Sequence, residues 1–197
     1  MTATTPSNED LAGRRIIIGL TGGIACYKVA SVVSAATQAG AEVSVAMTEA
    51  ATRFVAPLTF QALSGRAVYT SQWQHLESHD PQHIALAAAA DLMLIAPCSM
   101  DMLAKLAVGR TDDVVSLIAS AIDRTARPVL LAPSMNATMY AQASTQRNLR
   151  QLDADGYRII PPETGWQACR TEGLGRLPEP ETLIAAVREA LSTSPGS

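Results

Sequence analysis

Three stretches of this 197-residue sequence place reactive groups where a chain turn could present them. In the first, Thr21, Gly22, Gly23 and Ile24 end an apolar run and lead directly into a helix-like segment. Glycine has no Cβ, so the backbone can come close to a ligand, and the N–H groups at a helix start point at an anion. Thr21, Thr48 and Ser99 add hydroxyls to the strand ends. The glycines stand at 19, 22 and 23, not in the G-x-G-x-x-G spacing of a dinucleotide site, so the turn suits the single phosphate of a mononucleotide. A tight turn with no ligand would be built from the same residues.

The second stretch, PSMNATM (133–139), carries Asn136. Its side chain offers a donor and an acceptor, which suits a carboxylate or an amide, and asparagine also makes a good helix N-cap. The third, residues 164–181, is long and glycine-spaced, and holds Cys169 beside Arg170 with Arg176 close by. A neighbouring cation favours the thiolate, although an exposed cysteine can equally be inert. A segment of this length without its own pattern reads as a functional or disordered loop.

The three histidines, His75, His79 and His83, are four residues apart. On one helix they would form a metal stripe, but Pro81 interrupts it and no cysteine or carboxylate cluster completes a site, so no metal is expected. His83 differs from the other two, because it opens a helix just before an apolar strand. It is either a proton carrier near neutral pH or an ordinary surface histidine.

The elements that must position these residues follow from periodicity. Segments 14–20, 41–47, 91–97, 127–133 and 157–162 read as strands. Segments 24–38, 48–54, 57–63, 83–90, 145–156 and 179–191 read as helices, with one more after Ser99 or Asp101. Thr48 is placed as an N-cap, Pro57 and Pro180 near helix starts, and Gly40 and Gly156 at helix ends. Strands that are apolar on both faces and alternate with helices predict a doubly wound parallel α/β sheet covered on both sides. Ligands in that architecture sit beyond the carboxyl ends of the strands, where TGGIA, TEAA, PCSMD and PSMNATM should converge.

Composition narrows the function. Hydrophobic residues make up 48% and charged residues 17%, which predicts a globular chain. The net charge of −3 offers no case for nucleic acid or an anionic membrane. Cys26, Cys98 and Cys169 are far apart and few, as expected of a reducing, cytoplasmic setting. The start has no apolar signal core, and no run is long enough to span a membrane. Residues 1–13 read as a flexible arm, 14–192 as one domain and 193–197 as a loose tail.

Taken together, GLTGGIACYK, HIALAAAADLMLIAP, PCSMDMLAKLAVG, PSMNATMY and WQACRTEGLGRLPEPETL resemble the flavin-containing cysteine decarboxylases. Within them the chain is similar to the phosphopantothenoylcysteine decarboxylases of coenzyme A synthesis, from about Arg15 to Leu191. The resemblance implies a Rossmann- or flavodoxin-like three-layer fold and FMN as cofactor. It implies FMN contacts from Gly22, Gly23, Ile24, Thr48, Ser99, Met100, Asp101, Met102 and Ser134. It maps the catalytic histidine onto His83, the asparagine that grips the substrate carboxylate onto Asn136 and a proton-donating cysteine onto Cys169. Met139, Ala168 and Arg176 would also meet the substrate, with 164–181 as a lid.

The implied reaction converts a phosphorylated cysteine conjugate, 4′-phosphopantothenoylcysteine, to 4′-phosphopantetheine. Flavin oxidation of the cysteine side chain lets CO2 leave. The resemblance also implies a homo-oligomer, a trimer or a dodecamer, with the site between protomers. A ligase that makes the substrate would be a separate protein, since this chain stops after the decarboxylase part. Three departures stand out: Arg170 replaces a glycine, Leu177 replaces a methionine, and the helix after His83 is nearly all alanine. The rival readings are an oxidative decarboxylase of a peptidyl cysteine, which lacks the lid, and a non-catalytic flavin-binding regulatory subunit.

Overall fold

A computed structural model describes residues 10–73, 82–168 and 170–193. His75, His79 and Cys169, and most of the predicted arm and tail, lie outside the described residues. Five parallel strands form the central sheet: β1 (Arg15–Leu20), β2 (Glu42–Met47), β3 (Leu92–Cys98), β4 (Val129–Pro133) and β5 (Arg158–Ile159). Their order is β2-β1-β3-β4-β5, the flavodoxin-like arrangement, and the winding reverses between β1 and β3.

Alternation along each strand builds two cores. Ile16, Ile18 and Leu20 of β1 and Leu92, Leu94 and Ala96 of β3 face one side. There they meet α1 (Cys26–Gln38), α3 (Pro57–Ser64) and α9 (Pro180–Ser192) through Val29, Phe60 and Leu183. Ile17, Met93 and Ile95 face the other side. That side is covered by α4 (Gln82–Ala89), α5 (Met100–Ala107), α6 (Val114–Ala121) and α8 (Ala143–Ala154). Each fully buried Leu or Ile contributes about 1.5–3 kcal/mol, and this double burial is why the strands read as near-continuous apolar runs.

Three differences from the sequence reading have physical causes. Residues 10–13, placed in the arm, instead form a turn: Leu11 is only 2% exposed, and its N–H donates to the Ala39 carbonyl at 3.0 Å. Helix α6 has no counterpart among the expected elements: VVSLIASA is short, and Val114, Val115 and Ile118 favour a strand as readily as a helix. Its start is nevertheless well marked. Asp113 accepts from the N–H groups of Val115 and Ser116 at 3.0 and 2.9 Å, a cap that contributes about 1 kcal/mol. Lys105 of α5 joins that cap at 2.9 Å.

The third difference is the supposed loop after β5. It contains an antiparallel hairpin, β6 (Glu163–Trp166) and β7 (Glu172–Arg176). The pairing has no clear hydrophobic alternation to announce it. At its tip the Arg170 N–H donates to the Gln167 carbonyl at 2.9 Å, and the Gln167 N–H donates to Thr171 at 2.9 Å. Arg170 closes this turn with φ of 64°, the left-handed position that three-residue hairpin loops give to glycine.

Candidate functional site

The site begins where the sheet reverses. Thr21, just past β1, is 1% exposed and donates its hydroxyl to the Pro97 carbonyl at 2.6 Å. The same oxygen accepts the Ser99 N–H at 2.8 Å. Ser99 in turn caps α5 by accepting from Met102 at 3.2 Å, and Thr48 caps α2 (Glu49–Thr52) by accepting from Ala51 at 3.2 Å. Thr21 therefore spends its hydroxyl proton within the chain, whereas the Thr48 and Ser99 oxygens accept and keep their own O–H groups as donors toward the cavity.

Further donors are backbone. Helix α1 starts after Ala25 with no side-chain cap and no acidic residue in its first turn. Among the described residues, no acceptor takes the N–H groups of Gly22 or Ile24, while the Gly23 backbone hydrogen-bonds the Cys26 thiol. Unpaired donors at the positive end of a 13-residue helix form an anion site. Gly22 is needed because a Cβ there would stand 2.7 Å from the Ala50 Cβ, so any side chain would drive α2 off the turn.

Two neighbouring cavities meet at this turn. One, of about 590 Å³, is lined by Gly22, Gly23, Ile24, Ser134, Asn136 and Met139, among others. It is also walled by Trp166, Gln167, Ala168 and Arg176 of the hairpin. The other, of about 710 Å³, is lined by Thr48, Gln72, Asp101, Met102 and Lys105. Both share Gly22, Ser99, Met100 and Met139. In the second cavity the carboxamide oxygen of Gln72 is buried with no hydrogen-bond partner among the described residues.

Asn136 caps the short helix α7 (Ala137–Ala141), its Oδ1 accepting from Thr138 at 2.8 Å and Met139 at 3.4 Å. The oxygen is the capping atom, and the NH2 carries the donor polarity that a carboxylate needs. The hairpin is docked onto this helix start. Gln167 accepts from the Ala137 N–H at 3.1 Å and donates to the Gly173 carbonyl at 3.2 Å. The Gly175 carbonyl accepts the Met135 N–H at 2.9 Å. Gly175 has φ of 137°, and a Cβ there would lie 2.3 Å from the Met135 oxygen, so only glycine permits the approach.

Gln167 and Lys28 escaped the sequence reading. Lys28, on the first turn of α1, reaches Glu179 at 3.0 Å and the Leu177 carbonyl at 3.3 Å. Arg176 binds the same Glu179 oxygen. Burial, and then the charge of Arg176, push the Lys28 pKa below its ordinary value. The 149-residue separation of Lys28 from Leu177 leaves no sequence signal for the contact.

His83 is not brought to Asn136 within one chain. It lines a small recess of about 20 Å³ with Tyr69 and Leu86. That recess shares Ser71, Gln72 and Val114 with the second cavity. Among the described residues, no three His, Cys, Asp or Glu side chains converge as metal ligands do, and no helix is long and apolar enough to cross a membrane.

Residues 4–192 match the family described as flavoprotein. The coenzyme A biosynthesis bifunctional protein CoaBC of Haemophilus influenzae is 43% identical over 182 residues, covering 92% of this chain and 45% of that one. The protein of the same name from Bacillus subtilis is 44% identical over 174 residues, covering 88% and 42%. The chain thus spans less than half the length of these curated relatives. A PPC decarboxylase bearing a cysteine-to-serine substitution, solved in complex with pantothenoylaminoethenethiol, superposes with a TM-score of 0.84. It is 30% identical, over 91% of this chain and 99% of that one. The FMN-dependent cysteine decarboxylase SpaF superposes at 0.77 with 31% identity, over 92% and 97%. The chain belongs to the flavoprotein family.

Proposed function

We propose that this chain binds FMN in the paired cavities and decarboxylates a cysteine conjugate there, converting 4′-phosphopantothenoylcysteine to 4′-phosphopantetheine. The observation that carries the reading is the placement of Asn136 on a cavity that is also lined by Gly22 and Ile24, whose N–H groups are unpaired just ahead of α1, and is walled by the hairpin. The names of the relatives point the same way: coenzyme A biosynthesis, PPC decarboxylase and FMN-dependent cysteine decarboxylase.

The residues present fit such a cofactor. The unpaired N–H groups of Gly22 and Ile24, with Gly23 between them, would hold its phosphate. Thr48, Ser99, Met100, Asp101 and Met102 line the cavity that would take the rest, and Ser134 borders the neighbouring one. When bound, the flavin supplies an acceptor for two electrons and later returns them, the electron sink that CO2 loss from a saturated cysteine lacks.

The chain's own work is positional and acid–base. Asn136 orients the substrate carboxylate through its NH2. Ile24, Met135, Met139 and Trp166 give the cavity apolar walls, and Ile24, Met139 and Trp166, exposed in the single chain, would be covered by substrate or a second copy. Ala168 and Arg176 close the cavity from the hairpin side. Cys169 is proposed to donate the proton that restores the saturated product, and His83 to handle the proton released during oxidation. The working form is proposed to be a homo-oligomer, a trimer or a dodecamer, in which His83 of one copy faces the crevice of another. The apolar exposure of Ile84, at 51% beside His83, and of Trp73, at 81%, supports this.

The deciding experiment incubates the purified protein with 4′-phosphopantothenoylcysteine, follows the product by mass spectrometry and records the visible spectrum. A yellow protein that releases CO2 and forms 4′-phosphopantetheine is expected. A yellow protein without product would overturn the decarboxylase reading, and a colourless protein that gains no flavin on addition of FMN would overturn the cofactor. Light scattering that shows a monomer at micromolar concentration would remove the oligomer.

A further inference from the structure

Gln167 is a buried polar side chain at the end of an exposed strand. It is 8% exposed, while its neighbour Trp166 is 68% exposed. A hairpin that turns an aromatic ring outward and a carboxamide inward does so for the hydrogen bonds the carboxamide makes. Both of its ends are used. Oε1 accepts the Ala137 N–H at 3.1 Å, and Nε2 donates to the Gly173 carbonyl at 3.2 Å.

The Ala137 bond ties the hairpin to the turn that holds Asn136. The first N–H groups of a helix have no intrahelical acceptor. Asn136 takes those of Thr138 and Met139, and Gln167, from 30 positions further along the chain, takes that of Ala137. Two side chains thus close one turn. Strand β7 is shaped to the same contact. A Cβ on Gly173 would stand 2.7 Å from the Ala137 Cβ. Further along β7, the Gly175 carbonyl accepts the Met135 N–H at 2.9 Å.

Gln167 also opens the hairpin tip. Its N–H donates to the Thr171 carbonyl and its carbonyl accepts the Arg170 N–H, both at 2.9 Å, so these bonds bracket position 169. We infer that Gln167 is a positioning residue: its carboxamide fixes the hairpin that carries Cys169 to the turn that carries Asn136. The group that grips the carboxylate and the group that supplies the last proton are thereby held at one separation. This rests on the decarboxylase reading given above, and adds to it the residue that decides which product leaves.

The product depends on that separation. Oxidation of the conjugate passes a hydrogen and two electrons to the cofactor and frees a proton, and CO2 then leaves an unsaturated thiol behind. The saturated product forms when this thiol regains the hydrogen with its two electrons and takes a proton from the chain. With the proton donor out of place, the unsaturated thiol departs and the two electrons stay on the cofactor. Proton transfer needs hydrogen-bond reach, and a misplacement of about 1 Å costs up to about a hundredfold in rate.

The test is a single turnover of the FMN-loaded protein under nitrogen, with protein in excess of 4′-phosphopantothenoylcysteine. Mass spectrometry gives the ratio of unsaturated to saturated thiol, and the visible spectrum gives the flavin left reduced. The wild type is expected to yield saturated thiol and oxidised flavin. Gln167→Met should raise the ratio by at least about tenfold, with reduced flavin rising in step. Gly173→Ala, which pushes β7 off Ala137 while Gln167 is intact, should raise it as well. An unchanged ratio in either variant, with CO2 release and saturated thiol falling together, shows lost stability alone and overturns the positioning role. A wild type that releases no CO2 overturns the decarboxylase reading, and this role with it. If neither variant folds, hydrogen exchange of the FMN-loaded wild type decides. The Ala137 and Met135 amides should exchange slowly and at one shared rate, and exchange as fast as that of open amides overturns the docking.

Discussion

The Thr21 hydroxyl joins two strands at the point where the sheet reverses, accepting the Ser99 N–H at 2.8 Å while donating to the Pro97 carbonyl at 2.6 Å. Both partners are main-chain groups at the end of β3, so the hydroxyl takes the place of a backbone ladder that has run out. Thr21→Val keeps the shape and strands a donor and an acceptor. Unfolding free energy should fall by about 1–3 kcal/mol. Retained flavin should fall with it, because Ser99 sets the start of α5. Denaturant titration and the visible spectrum read the two effects, and an unchanged midpoint would remove this role.

Asn136 serves two purposes that one substitution can separate. An aspartate caps a helix as well as an asparagine does, so Asn136→Asp should leave stability within about 0.5 kcal/mol. It also replaces a donor by a negative charge on the cavity wall. Decarboxylation should therefore fall by at least about a hundredfold, the loss of a charge-assisted contact plus like-charge repulsion. Equal activity in the two proteins would remove Asn136 from carboxylate recognition.

Gln72 makes a prediction about stability. Its buried oxygen has no hydrogen-bond partner among the described residues. Replacing it with leucine removes an unsatisfied group, so the apoprotein should melt at a higher temperature. A lower melting temperature would show that the carboxamide is satisfied in the folded chain.

Burial raises the Cys26 thiol to a pKa of about 11, and the Cys26 Sγ donates to the Thr21 carbonyl at 3.2 Å. Complete burial moves Cys98 upward as well. Neither should react with a thiol reagent at pH 8 in the native protein, and both should react after unfolding. Because the folded state holds the Cys26 proton longer than the unfolded chain, this group's contribution is present below pH 9 and is lost as pH rises toward 11. Cys26 and Cys98 should then each contribute a fall of about 1.4 kcal/mol per pH unit across that window. Cys26→Ala should remove its share of the slope and leave that of Cys98.

Arg170 holds a left-handed φ of 64° at the hairpin tip. A β-branched residue tolerates this conformation poorly, so Arg170→Val should loosen the turn by about 1 kcal/mol, whereas Arg170→Gly should not. Hydrogen exchange at the Gln167 and Arg170 amides, both bonded across the tip, reports it directly. Equal exchange in the two variants would show that the turn carries no strain.

The sheet was legible because β1, β3 and β4 are buried on both faces, and double burial leaves a mark that each segment carries on its own. The crevice was legible for a related reason. Strand, turn and helix start are contiguous at residues 15–26, so Gly22 and Gly23 announce a backbone approach before any partner is known. Helix α6 was not legible, since its eight residues are few and Val114, Val115 and Ile118 suit a strand as well as a helix. Nor was the hairpin at Glu163–Arg176, whose strands are held by pairing and by glycine contacts rather than by hydrophobic alternation.

What the sequence by itself determined is the set of local chemistries: a glycine turn before a helix, an asparagine suited to capping, a cysteine segment and a flavin-enzyme resemblance. Which of them meet was decided only by the tertiary structure. Packing turned the Thr21 hydroxyl proton inward to Pro97, set Thr48 and Ser99 as helix caps, and joined Lys28 to Glu179 across 151 positions. It also kept His83 away from Asn136 within one chain. Hydrogen-bond partners and charge neighbours are relations between distant segments, so they come into being only when the sheet brings the strand ends together.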